Sequence, residues 1–213
     1  MGVWPDTLLI CVMFLDVLLL VSSRLGVLIR FFAAQSLVLS AVPVFLYPHM
    51  NVHTAVVSGG ALLLKGILIP RLLFWAIRNA SIRREARGLM GPAGIFLSSG
   101  VLMGLSFLLS SLLPLPVNAL PEFLVPAAFF TLMSGLFLLI NGTKAITQVV
   151  AYLVLENGIF LFAVVLLAEM PLIVEMGIFL DVFVAVFIMG IVINHIHGAF
   201  DHMDVSRLTL LKD

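Results

Sequence analysis

Asp16, Lys65, Glu156 and Asp181 each stand inside a long apolar run, with leucine directly before every one of them. On insertion scales a charge at the centre of a membrane helix costs roughly 2.5–3.5 kcal/mol, so the four together ask for on the order of 10 kcal/mol that leucine would spare. A function is therefore the default reading. The chemistry open to such groups is proton transfer, because removal from water disfavours the charged form of a carboxylate and of an ammonium alike and lets each take up and release H⁺. Asn157, Tyr152, Ser58, Gln35 and Ser36 supply polar groups able to wet a path between them. The plainer alternatives are that Asp16 and Lys65 neutralise one another as a buried pair fastening two helices, and that Asp181 or Glu156 only packs. Glu156 has no cation within a turn or two on its own helix. Arg71 is expected to snorkel to the nearer interface on its long stem.

Other site chemistries are poorly supplied. A single cysteine, Cys11, excludes an internal disulfide, a cysteine-ligated iron–sulfur cluster and any CxxC motif. His49 and His53 flank a stretch next to Pro48, and His195, His197 and His202 follow the last apolar run, where alternate spacing puts the first two on different helix faces. No haem or metal is expected on this chain. Histidines at the inner surface could instead feed protons, since an unperturbed imidazole titrates near pH ~6.5.

The elements that hold these residues must be membrane helices. The 213 residues are 62% hydrophobic and 10% charged, against roughly 45–50% and about 25% in soluble domains, and the mean hydropathy is +1.25. A water-soluble globule is excluded. Eleven Lys and Arg balance eleven Asp and Glu, so the basic footprint of a nucleic-acid binder is missing. Crossing roughly 30 Å of hydrocarbon takes about 17–25 apolar residues, and seven such runs can be drawn, over 7–21, 25–47, 54–77, 92–113, 123–140, 148–168 and 173–194. The N-terminus lacks the basic flank and cleavage pattern of a removed signal peptide, so the first run is expected in the mature protein.

Cations fall after the first, third, fifth and seventh runs: Arg24 and Arg30, then Arg78, Arg83, Arg84 and Arg87, then Lys144, then Arg207 and Lys212. The opposite connections carry Asp6, Glu122, Glu169 and Glu175 instead. The positive-inside bias then gives an outside N-terminus and a cytoplasmic C-terminus, which only an odd number of spans allows. The organisation expected is four N-terminal helices over 1–113, a three-helix unit over 123–194 and a cytoplasmic tail over 195–213, in an all-α, multi-pass protein of the cell (inner) membrane.

Counted from the ends of their runs at about 1.5 Å per residue, all four buried ionisable groups fall near the middle third of the bilayer. One common depth points to a lateral path in the membrane plane rather than a pore straight through. Pro70 has no N–H to offer the carbonyl of Gly66, so a break in the helix is expected beside Lys65. Gly177, Asp181 and Ala185 recur every four residues, a small-residue stripe that turns Asp181 toward protein.

The string Leu-Glu-Asn-Gly-Ile-Phe-Leu-Phe at 155–162 resembles hydrogenase-4 component E, the small membrane subunit of formate-hydrogenlyase-type group 4 [NiFe] hydrogenases, whose C-terminal half is similar to the K subunit of respiratory complex I. The resemblance implies that Glu156 takes the position of an acid in the middle helix of a three-helix unit on the membrane's central hydrophilic axis. Asp181 takes that of a second acid, with aspartate where the K subunit carries glutamate. It further implies antiporter-like membrane subunits, an anchor subunit similar to the complex I H subunit, and peripheral hydrogenase and iron–sulfur subunits that carry the [NiFe] and iron–sulfur centres, with no cofactor on this chain.

The function expected is that of a subunit without catalysis of its own, in a redox-driven proton pump, with Glu156, Asp181, Lys65 and Asp16 on its proton path and Asp16 tuning the lysine. The rivals are a subunit of a multi-subunit cation/proton antiporter and a structural spacer.

Overall fold

Within the bilayer no water pairs with a backbone N–H or C=O, so an apolar chain must close its own hydrogen bonds as helices. The computed structural model describes residues 3–46, 59, 62–79, 89–113, 121–166, 183–184, 186–188 and 190, and among these there is no strand. Helix α1 is Val3–Val21 and α2 is Leu25–Leu46. A π-helical segment, Leu62–Leu68, leads into α3, Ile69–Asn79, and α4 is Pro92–Leu112, α5 Leu124–Asn141 and α6 Ala145–Leu166. Five of these helices are long and apolar enough to cross a membrane, over Trp4–Val21, Leu25–Pro43, Pro92–Leu112, Leu124–Asn141 and Ala145–Ala163.

They match five of the seven runs drawn from the sequence. The expected third run is represented by the π segment and α3, and the seventh by the helical residues among 183–190. Asp181, Ser58 and all five histidines lie outside the described residues. The sixth helix begins at Ala145 rather than at Gln148. Gln148 looked like a boundary because it is polar, but its Nε2 donates to the carbonyl of Gly142 at 3.3 Å. Its polarity therefore ties the helix back to the end of α5, where Gly142 is the C-cap.

The break expected at Pro70 takes the form of the π segment. Proline at the second position of α3 leaves the carbonyl of Gly66 without its usual α-helical donor, and the turn just before it is wound wider, with Lys65 at its centre. Such wide turns concentrate where a helix must re-aim a functional side chain.

Helices α5 and α6 make the largest contact in the bundle. A Cβ added at Gly158 would sit 2.5 Å from the backbone nitrogen of Leu132, and one at Gly135 would collide with the backbone nitrogen of Leu155 and lie 2.6 Å from its Cα. Reciprocal glycines thus let two backbones meet directly, as small residues do in membrane interfaces. They also place residue 156 on α6 level with the segment 132–135 on α5.

The apolar core falls into two clusters. One holds Leu19, Phe32, Ile69, Leu138 and Val154, and the other Val12, Leu39, Phe130 and Leu161. Most buried polar residues of the core helices gather between the two: Asp16 on α1, Gln35 and Ser36 on α2, Lys65 before α3, Thr131 and Ser134 on α5, Glu156 and Asn157 on α6, while Ser40, Asn141 and Thr147 lie outside this layer. The bundle is an apolar, polar, apolar stack, and the polar layer crosses it at one depth. Helix α4 stands at the periphery, with Phe96, Leu97 and Val101 more than three-fifths exposed to what would be lipid.

Candidate functional site: a buried polar layer

Two connected groups make up the layer. In the first, Lys65 Nζ lies 2.7 Å from Glu156 Oε1 and both side chains are buried. The cation that Glu156 lacks on its own helix arrives from a segment 91 residues earlier in the chain, carried there by the π turn. In the second, Asp16 accepts from Gln35 Nε2 at 2.6 Å on one oxygen and from Thr131 Oγ1 at 2.7 Å on the other. Gln35 turns its own carbonyl oxygen to Asn157 Nδ2 at 3.5 Å, and the same Nδ2 reaches Ser36 Oγ at 3.2 Å. A chain of polar contacts therefore runs from α5 through α1 and α2 to α6.

Glu156 and Asn157 are neighbours on α6, so about 100° of helical rotation separates them and each serves a different group. Glu156 faces the π segment, Asn157 faces α2, and Gly158 admits α5. The same layer holds buried oxygens without a hydrogen-bond partner among the described residues: Glu156 Oε2, Asn157 Oδ1 and Ser134 Oγ. Buried polar atoms in proteins are satisfied by protein or by ordered water, and a buried water needs about 2–4 polar partners.

A buried ion pair is weak evidence for stability, because the desolvation of both ions offsets most of their attraction. What the pair offers chemically is a carboxylate and an amine that share a hydrogen-bonded proton, with the second carboxylate oxygen lacking a partner among the described residues. Asp16 is held differently, by two neutral donors.

The site residues named from sequence thus separate. Lys65 and Glu156 are brought together, while both oxygens of Asp16 are taken up by Gln35 and Thr131. The ion pair observed for Lys65 is with Glu156, not the fastening pair with Asp16 that the sequence left open. Arg71 is exposed, on α3. Thr131 and Ser134 escaped the sequence reading. Their signal was weak but real: two hydroxyls three residues apart, hence on one face, in an otherwise apolar run.

A test of the Asp16 arrangement follows directly. Asp16→Leu strands the Gln35 amide and the Thr131 hydroxyl, each buried donor costing about 1–3 kcal/mol when unpaired. Asp16→Asn keeps an acceptor and loses less. Unfolding of the full chain in detergent should rank native above Asn above Leu; equal stability of the two variants would contradict the bonding described.

The chain resembles known proteins along most of its length. It is 32% identical over 203 residues to the uncharacterized protein Rv0085 of Mycobacterium tuberculosis, a match covering 93% of this chain and 91% of that one. To hydrogenase-4 component E of Escherichia coli and of Shigella flexneri it is 29% identical over 185 residues, 85% of either chain. No family model matches the sequence, and no solved structure matches it.

Proposed function

We propose, for a chain that belongs to the hydrogenase-4 component E family, that it is a membrane subunit of a multi-subunit group 4 hydrogenase and carries part of a proton path in the membrane plane. The observation that carries this reading is the polar layer, in which Lys65–Glu156 and Asp16–Gln35–Asn157 stand at one depth between two apolar clusters. Glu156 is the proton carrier, Lys65 its charge partner, and Gln35 and Asn157 link it toward Asp16. Asp181 is the next acid along the path. Changes of charge at the redox module favour one or the other position of the proton on the Lys65–Glu156 pair.

Seven spans, an outside N-terminus and a cytoplasmic C-terminus in the cell membrane complete the proposal. The segregation of charge supports it. Arg24 at the α1–α2 turn and Lys144 at the α5–α6 turn stand at one end of the bundle, and Arg78 closes α3 beside them, since Phe74 packs on Gly26. Asp6 accepts from the N–H of Phe123 at 3.4 Å at the other end, next to Glu122. The subunit performs no catalysis and holds no cofactor; antiporter-like subunits and an anchor subunit lie beside it in the membrane, and peripheral [NiFe] and iron–sulfur subunits bind on the cytoplasmic side.

Affinity purification of the full chain from its native membrane, with mass-spectrometric identification of what accompanies it, tests this. Hydrogenase and iron–sulfur subunits are expected. Recovery with antiporter subunits alone would overturn the hydrogenase assignment in favour of a cation/proton antiporter.

A further inference from the structure

We infer that the cavity at the cationic end of the bundle is a binding site for the phosphate headgroup of an anionic phospholipid. The cavity, about 590 Å³, opens between the α1–α2 turn, the start of α4 and the α5–α6 turn. Its polar lining among the described residues is made of Ser22, Ser23, Arg24, Asn141 and Thr147, with no acidic residue among them. That is a set of donors. Asn141 Oδ1 already accepts the N–H of Met90 at 3.0 Å, so what this side chain has left to offer is its NH₂. Thr147 is buried, and its hydroxyl has no partner among the described residues, which leaves a polar group bordering the cavity that wants a ligand.

The backbone adds to the same sign. Helices α2, α4 and α6 all begin here, so three positive helix ends converge on the cavity. Gly91, at the N-cap of α4, supplies no side-chain cap, which leaves that helix's first N–H groups without a side-chain acceptor. The opposing carbonyl ends of α1 and α5 are partly answered by the N–H of Ser22 on the Leu19 carbonyl at 3.3 Å and of Gly142 on the Leu138 carbonyl at 2.8 Å.

A soluble anion would need only this polar half. The rest of the wall is apolar, with Leu28 and Leu138 buried and Ile95 half-buried in it, and Met90, which also lines it, is an exposed hydrophobic next to the exposed Leu89. An amphipathic ligand matches both halves: a phosphate on Arg24, Ser23 and Thr147, with acyl chains along the flank of α4. Basic pockets between membrane helices bind anionic headgroups in this way.

Thermal unfolding of the purified full chain in uncharged detergent, titrated with phosphatidylglycerol, phosphatidylcholine or inorganic phosphate, tests the inference. Phosphatidylglycerol is expected to raise the unfolding temperature, and the other two are not. Arg24→Gln, at an exposed position, should weaken the response about fivefold, and Thr147→Val, which keeps the shape and removes the hydroxyl, by at least as much. Arg71→Gln removes an equal charge away from the cavity and should leave the response intact. An equal response to phosphatidylcholine, the full response from inorganic phosphate alone, or equal weakening by Arg71→Gln and Arg24→Gln would overturn it.

Discussion

Lys65→Met and Glu156→Leu are each expected to destabilise the protein by about 3–5 kcal/mol, because either change leaves the other member of a buried pair as an uncompensated charge. The double variant is expected to recover most of that loss. Two apolar side chains of similar size in place of a buried ion pair are often neutral or stabilising by about 1–4 kcal/mol, and Leu and Met suit the leucine-rich surroundings above and below the layer. Proton translocation by the assembled complex is expected to fail in all three variants. That contrast separates fastening from transport. If the pair only holds helices together, restored stability in the double variant would bring back ion movement; if it carries protons, a well-folded double variant remains inactive. Unfolding curves of the full chain, paired with translocation by the reconstituted complex, read both quantities.

The second large effect is expected at the α5–α6 contact. Gly158→Ala drives a methyl into the backbone of Leu132, and Gly135→Ala drives one into the backbone of Leu155. Overpacking commonly costs about 1–3 kcal/mol, and here the obstacle is main chain rather than a side chain that can swing aside. Both substitutions force the same two helices apart, so the double variant should lose less than the sum of the singles. Separation also displaces Glu156 and Asn157, which sit directly before Gly158, and translocation should fall with stability. Gly100→Ala and Gly104→Ala on α4 meet nothing within 4 Å and are expected to be neutral or slightly stabilising, by up to about 1 kcal/mol from helix propensity. Equal effects at all four glycines in thermal unfolding would contradict this picture of the interface.

Much of the architecture was legible in the sequence, since a lipid-facing helix must be apolar all round and the polar punctuation between runs is plain. Boundaries failed where a polar residue inside a helix bonds back to the preceding connection, as Gln148 does to Gly142. The depth of Asp16, Lys65 and Glu156 could be counted from the ends of their runs, and the hydrogen bonds joining α1, α2, α5 and α6 agree with a common level. Which acid holds the lysine was not legible. Three helices with similar spacing offer several rotations, and only the packing of the π segment against α2 and of α2 against α6 selects Glu156.

The string at 155–162 was recognisable for reasons the structure makes physical. Its glutamate takes the lysine, its asparagine holds α2, and its glycine admits the backbone of α5, so three consecutive residues each meet a different element. Thr131 was missed because a hydroxyl residue in a membrane run also bonds its own helix backbone without further consequence. Here its hydroxyl instead completes the shell of Asp16.

The most direct test is the number of protons translocated per turnover by the complex in proteoliposomes, native against Glu156→Gln, with hydrogen-dependent reduction of a soluble acceptor measured alongside. Glutamine keeps the size and one acceptor oxygen but cannot give up or take a proton. Translocation per turnover is expected to collapse while the redox reaction continues. An unchanged ratio at unchanged turnover would contradict a proton path through Glu156.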